Sequence, residues 1–282
     1  MRIGHVIFVA GGSLILAGCG PKMEEPVRVC PGKSDVLYSL SALRSQSENA
    51  VGLKARGQCR FEFYEKDKLR KENLTVRVWM NPPDEIYVQG DASVVPKAVI
   101  LGSNAEEFWL AVRPKEVSTY WWGRWSEQGS VGKVKIDPRV VLEAFGVVEA
   151  EYGRDWSLST EGPFDVLTQR SKEGAVVKKV YVYNCDYRVS RIEYYDEAGQ
   201  AVVEAELRNY REASDGFWVP RVISIAERSS GRKGDSIRIR LSGVEPFEFT
   251  DEARSKIFGR QAPRGFKHEF RIVDGEPVSQ GR

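Results

Sequence analysis

From Val51 to Val244 the chain keeps returning to a period of two, and that period decides what it can fold into. Apolar and polar residues that alternate at every second position belong to strands with one buried and one wet face. Ile237, Ile239 and Leu241 set against Arg238, Arg240 and Ser242 show the pattern plainly. Strands are predicted near residues 53–64, 74–80, 85–90, 98–101, 107–112 and 117–122. Further strands follow near 156–159, 164–170, 176–183, 188–195, 201–210, 218–228 and 236–244. Turn residues separate them, among them Asn81-Pro82-Pro83-Asp84, Gly102-Ser103-Asn104, Arg113-Pro114-Lys115 and Glu173-Gly174. Short strands joined by tight turns form an antiparallel meander.

The rhythm breaks three times. Near residues 34–47, Val36, Leu37, Leu40 and Leu43 recur at helical spacing, with Ser34 as the expected N-cap and Asp35 in the first turn. Near 134–149, Asp137-Pro138 opens a second helix that carries Val140, Val141, Leu142, Ala144 and Phe145 and ends at Gly146. Thr250 or Asp251 caps a third short helix through Phe258. A sheet of ten or more strands accumulates twist and curls, and helices are the natural filling for its concave side. The expected fold class is mainly β (α+β): a curled antiparallel sheet forming a half-open barrel, with the N-terminal helix and the mid-chain insertion as plug or lid. The expected folded domain is 34–260, and the Gly- and charge-rich stretch 261–282 reads as a flexible tail, poorly ordered from 273 onward.

The N-terminal stretch is of another kind. Arg2 gives a basic start, Val6 to Leu16 is apolar or small, and Leu16-Ala17-Gly18 leads into Cys19. The run is too short for a comfortable membrane span and reads as a secretion signal over 1–18. Leu16-Ala17-Gly18-Cys19 looks like the lipobox of bacterial lipoproteins, which implies a lipidated Cys19 as the new amino terminus. Each buried methylene contributes roughly 0.8 kcal/mol to attachment, so several acyl chains hold a domain at a membrane. Pro21, Pro26, Pro31 and Gly32 then punctuate a polar tether over 19–33. Gly20 resembles the pattern that sorts lipoproteins to an outer membrane. The expected location is the cell envelope, lipid-anchored, in an outer membrane facing the periplasm.

Composition excludes several classes. Lys and Arg number 42 against 40 Asp and Glu, so there is no bulk pull toward nucleic acid. Besides Cys19 there are Cys30, Cys59 and Cys185, with no metal-binding or redox spacing; one disulfide among them is possible, in any of three pairings. Of the two histidines, His5 lies in the signal and His268 in the tail. Carboxylate neighbours such as Glu106-Glu107 and Glu24-Glu25 lie beside a turn or in the tether, and phosphate-binding Gly loops are absent. These features point away from an enzyme and imply no cofactor and no metal.

The constellation that stands out is aromatic: Trp79 and Tyr87, then Phe108, Trp109, Tyr120, Trp121, Trp122 and Trp125. Alternation sends Phe108 and Trp109 to opposite faces and separates Trp121 from Tyr120 and Trp122. One set can line a cavity suited to acyl chains or sugar rings, or the rings can simply fill the core. The candidate cavity lining takes Leu37 and Leu40 from the first helix and Leu142 and Phe145 from the insertion. From the sheet it takes Val78, Trp79, Tyr87, Leu101, Phe108, Trp109, Leu110 and Trp121.

An opening helix, a strand ending in Trp79-Met80-Asn81-Pro82, and a hairpin with Asn104 before Phe108-Trp109 and Arg113-Pro114 after it resemble the bacterial lipoprotein carrier and receptor family (LolA and LolB) over roughly residues 34–250. The resemblance implies a curled sheet with helices as lid over an apolar cavity for acyl chains of lipids or lipoproteins. It also implies a membrane-bound acceptor when the member is anchored. Asn81 stands where the soluble carriers commonly have a basic residue that fastens the lid, so a carrier-type latch is not implied here. The expected function is acyl-chain binding in lipoprotein or lipid transport, with the membrane and the cargo chains as partners. An envelope scaffold and a polysaccharide-binding or hydrolytic lipoprotein are the alternatives.

Overall fold

A computed structural model describes residues 29–65, 68–114, 117–127, 138–150, 153–229, 232–261 and 264–280. The signal, Cys19 and the tether up to residue 28 lie outside the described residues. After a first helix, α1 (Val36–Glu48), the alternation takes form as β1 (Leu53–Glu65), β2 (Lys68–Asn81), β3 (Glu85–Asp91), β4 (Val99–Ser103), β5 (Glu107–Val112) and β6 (Thr119–Arg124). The insertion forms α2 (Pro138–Ala144). Then come β7 (Asp155–Glu161), β8 (Phe164–Arg170), β9 (Val176–Tyr183), β10 (Val189–Tyr195), β11 (Ala201–Ser214), β12 (Phe217–Ser229) and β13 (Arg232–Pro246). The chain ends in α3 (Asp251–Phe258), β14 (His268–Val273) and β15 (Glu276–Ser279).

All these strands form one sheet, in the order β15-β14-β6-β5-β4-β3-β2-β1-β13-β12-β11-β10-β9-β8-β7. Two meanders are thus joined where β1 pairs with both β2 and β13. The sheet curls without closing, as β15 and β7 stand at opposite edges. Register shifts in β1, β8, β10, β11 and β12 add local bends.

One face holds the main core. Val76, Val78 and Met80 of β2, Ile86 of β3, Leu101 of β4, Val180 and Val182 of β9, and Ile192 of β10 are buried there, with Leu40 and Leu43 of α1. Cys59 of β1 joins this core, and burial pushes its thiol up to about 12, so it behaves as a small apolar residue. We call this face inner. The outer face of β3–β6 carries a separate cluster of Ile100, Trp109, Ala111, Tyr120 and Phe266.

Two expectations need correction. The N-cap of α1 is Asp35, not Ser34: its extended backbone lets the carboxylate accept from the N–H groups of Leu37 (2.8 Å) and Tyr38 (3.1 Å). The stretch read as a loose tail contains two strands. β14 runs parallel to β6, with Ile272 buried and Arg271 paired with Glu127, so the sheet is not wholly antiparallel. Asp274 and Gly275, both at positive φ (48° and 80°), turn the chain into β15. Of the three cysteine pairings that the sequence leaves open, the structure shows Cys30 with Cys185.

Candidate functional site

The inner face is closed by two helices. α1 packs on β7 and β12, whereas α2 touches β4 on one half of the sheet and β11 on the other, bridging the concavity. Surface helices are apolar along one stripe, but α2 is mainly apolar. Val140, Val141, Leu142 and Ala144, together with Phe145 just beyond the helix, are each at most 5% exposed. Seven residues cannot hold a helix on their own. It is a plug kept in shape by the surface it fills.

Two residues of α2 are charged: Arg139, whose guanidinium lies 4.4 Å from the centroid of the Trp125 ring, and Glu143. Glu143 is 6% exposed and points onto the inner face of the second half. Its Oε1 accepts from Lys178 Nζ at 2.7 Å and from the backbone N–H of Glu149 at 3.2 Å, and its Oε2 accepts from the Tyr194 hydroxyl. Lys178 belongs to a rung that runs straight across four strands. Trp156 of β7 is paired in register with Gln169 of β8, Gln169 with Lys178 of β9, and Lys178 with Tyr194 of β10. All four side chains are at least nine-tenths buried, and the Lys178 ammonium lies 5.6 Å from the centroid of the Trp156 ring. The Gln169 side chain is 5% exposed and adds an amide to the rung. A buried polar rung within an apolar face, met by one carboxylate from α2, is the chemical centre of the inner space.

α1 is attached differently. The Cys30–Cys185 disulfide ties its leading segment to the β9–β10 turn, where the Asn184 amide also donates to the Cys30 carbonyl. Lys33 N–H donates to the buried Asp165 carboxylate of β8 at 2.8 Å. At its far end Gln46 reaches the Tyr187 carbonyl (2.8 Å) and Ser47 the Val148 carbonyl (3.0 Å).

The residues expected to line the cavity divide by face. Leu40, Val78, Leu101, Leu142 and Phe145 meet in the inner core, with Leu110 packed against it half-buried. Phe108 shares that side of β5 and packs on Trp125 (4.5 Å between centroids), while Trp121 stacks on Phe270 (6.4 Å). Leu37 is 62% exposed and lines nothing. Trp79, Tyr87 and Trp109 belong to the outer face. Trp79 meets Tyr87 edge-on at 5.7 Å, and Trp109 lies flat over Gly102, where an added Cβ would come within 2.2 Å of its ring.

The outer aromatics have a cover of their own. Arg254 of α3 pairs with Glu85 (3.0 Å), Asn104 donates to the Phe258 carbonyl (2.9 Å), and Arg260 pairs with Glu107 (2.7 Å) while lying 4.1 Å from the Trp122 ring. The Tyr120 hydroxyl donates to the Gln261 carbonyl (3.1 Å), its phenol pushed up to about 12 by burial. These rings pin the segment leading to β14 and do not face the inner space.

Two surface cavities lie elsewhere. One of about 440 Å³ is lined by Arg191, Glu193, Tyr195, Glu204 and Arg228, and one of about 510 Å³ by Lys33, Tyr38 and Ser41 beside α1. Both have a mixed polar and apolar lining. No group of metal-ligating side chains occurs among the described residues.

Fold and site together define a half-open, mainly antiparallel barrel plugged from within by helices. No family model matches the chain, and no curated protein matches it in sequence. Solved structures do. A domain assigned as an outer membrane lipoprotein-sorting protein from Vibrio parahaemolyticus is 13% identical, over 77% of this chain and 94% of that one, with a TM-score of 0.52. A LolA superfamily protein from Nitrosomonas europaea is 14% identical over 79% and 97%, with a TM-score of 0.50. A DUF1329 family protein from Desulfovibrio piger is 14% identical over 78% and 97%, with a TM-score of 0.51. The chain has a LolA-like fold, the half-open barrel that the sequence resemblance implied.

Glu143, Lys178, Tyr194, Gln169 and Trp156 were not among the sequence candidates. One signal was present: Glu143 is the lone acid in the run Val140-Val141-Leu142-Glu143-Ala144-Phe145.

Proposed function

We propose that this protein is a lipid-anchored envelope lipoprotein that binds acyl chains of lipids or lipoproteins against the inner face of its sheet, in lipoprotein or lipid transport. The observation that carries the proposal is α2: a short, mainly apolar plug occupying the concave side of an open sheet. An acyl chain that takes its place exchanges one apolar surface for another. Large burial energies then nearly cancel, and transfer from a bilayer needs only a slightly better acceptor, not a catalytic group. The Cys30–Cys185 disulfide fits an oxidising compartment. The Leu16-Ala17-Gly18-Cys19 tetrad supplies the anchor, and Gly20 the outer-membrane address.

Two experiments test it. Native mass spectrometry of the protein, alone and with added phospholipid or triacylated lipopeptide, should show bound acyl mass; a clean apo mass with no uptake would favour an envelope scaffold with a permanently filled core. Metabolic labelling with an alkyne fatty acid should mark the protein and vanish in Cys19→Ser. Labelling that survives this substitution would remove the anchor from the proposal.

A further inference from the structure

The rung across β7–β10 says what kind of lipid the inner face would take. Lys178 is fixed on a central strand, deep in an apolar face, with Trp156 beside it and Gln169 and Tyr194 as its in-register neighbours. Its counter-charge comes from elsewhere: Glu143 rides on the plug. If α2 withdraws to admit a chain, Glu143 leaves with it and regains water, while the ammonium stays behind in a site of low polarity. A buried charge stripped of its partner is strongly unfavourable, and an incoming group that restores the partner removes that penalty. A neutral headgroup cannot restore it.

We propose that the ligand is an anionic amphiphile, whose carboxylate or phosphate oxygen replaces the Glu143 carboxylate on Lys178. In the plugged state Glu143 holds the position that the ligand's headgroup occupies in the loaded state. Around that position the structure already holds the donors an anionic oxygen needs: the Lys178 ammonium at 2.7 Å from the mimicking carboxylate and the Tyr194 hydroxyl, with the buried Gln169 side chain in register one strand away. Charge-assisted hydrogen bonds of this kind are the stronger class. The inference rests on the acyl-chain reading above and adds the charge of the headgroup to it.

The test separates the two. The full-length protein is titrated with cis-parinaric acid and with its methyl ester, which share a chain and differ in charge. The acid should bind at least tenfold more tightly. Lys178→Met should bring the acid to the level of the ester and leave the ester unchanged, while Glu143→Gln, which removes the competing carboxylate, should tighten the acid several-fold. Far-UV circular dichroism checks the fold of both variants, and Glu143→Gln carries the test if Lys178→Met does not fold. Displacement by palmitate or by 1-palmitoyl lysophosphatidate, with monopalmitoylglycerol as the neutral control, tells carboxylate from phosphate; stronger displacement by either anion supports the proposal. Equal binding of acid and ester would overturn the headgroup assignment and leave the acyl site standing. Binding of neither would overturn both.

Discussion

α1 and α2 lie on the same face of the same sheet and are held there by opposite means. α1 is covalently tethered through Cys30–Cys185, capped by Asp35, and hydrogen-bonded to Asp165 and Tyr187 and, through Ser47, to the segment after α2. Among the described residues α2 has no covalent tie: it relies on apolar contact, on Glu143, which meets Lys178, Tyr194 and the Glu149 N–H, and on Arg139 beside the Trp125 ring. The helix that packs on β7 and β12 is clamped, and the helix that bridges both halves is latched. A clamp limits how far α1 can depart, so under the proposed acyl-chain binding α2 is the helix that would withdraw.

The largest test of that contrast removes one side of the latch. Lys178→Ala leaves Glu143 buried without its cation and should cost about 3–5 kcal/mol in urea unfolding. A change under ~1 kcal/mol would mean that Glu143 reaches water without moving α2. Next comes the clamp. Cys30→Ser with Cys185→Ser opens a link spanning 155 residues and should cost about 2–4 kcal/mol, with faster amide exchange in α1 and unchanged exchange in α2. Loss of protection in α2 as well would merge the two helices into one unit and break the comparison. Asp35→Ala should cost about 1 kcal/mol and show its effect in the first turn of α1 alone. The smallest change in stability is expected from the double replacement Glu143→Leu with Lys178→Met, since a buried ion pair exchanged for apolar side chains is often neutral to within ~1 kcal/mol or stabilising. That variant should keep its melting temperature and take up anionic lipid poorly, separating stability from binding.

The strands and helices were legible because their causes are local. Ile237, Ile239 and Leu241 declare a strand without reference to anything distant, and Thr250 caps α3 as its own neighbours dictate. The face each residue serves is not local. Trp79 and Trp109 read as cavity lining because large rings on a curled sheet suggest an apolar interior. They lie outside because α3 and the segment after it cross that face, pinned by Arg254 to Glu85 and Arg260 to Glu107 across more than 150 residues. Lys178 and Lys179 stand side by side in sequence with nothing to distinguish them. Only the register of β9 sends Lys178 inward to a carboxylate 35 residues earlier and Lys179 outward to the ring of Tyr195. β14 was missed for a related reason: its pairing partner, β6, is far upstream and parallel.

The seam between β1 and β13 and the pairing of β14 with β6 also set an order of events during synthesis. The first meander, β1 to β6, leaves the ribosome early, yet both of its open sides are sealed by strands made last, Leu53 opposite Pro246 and Thr119 opposite His268. Contacts this distant in sequence close slowly, and unpaired edges stay exposed until they do. The two halves of the sheet are therefore finished together, at the end, and a chain stopped before β13 has neither.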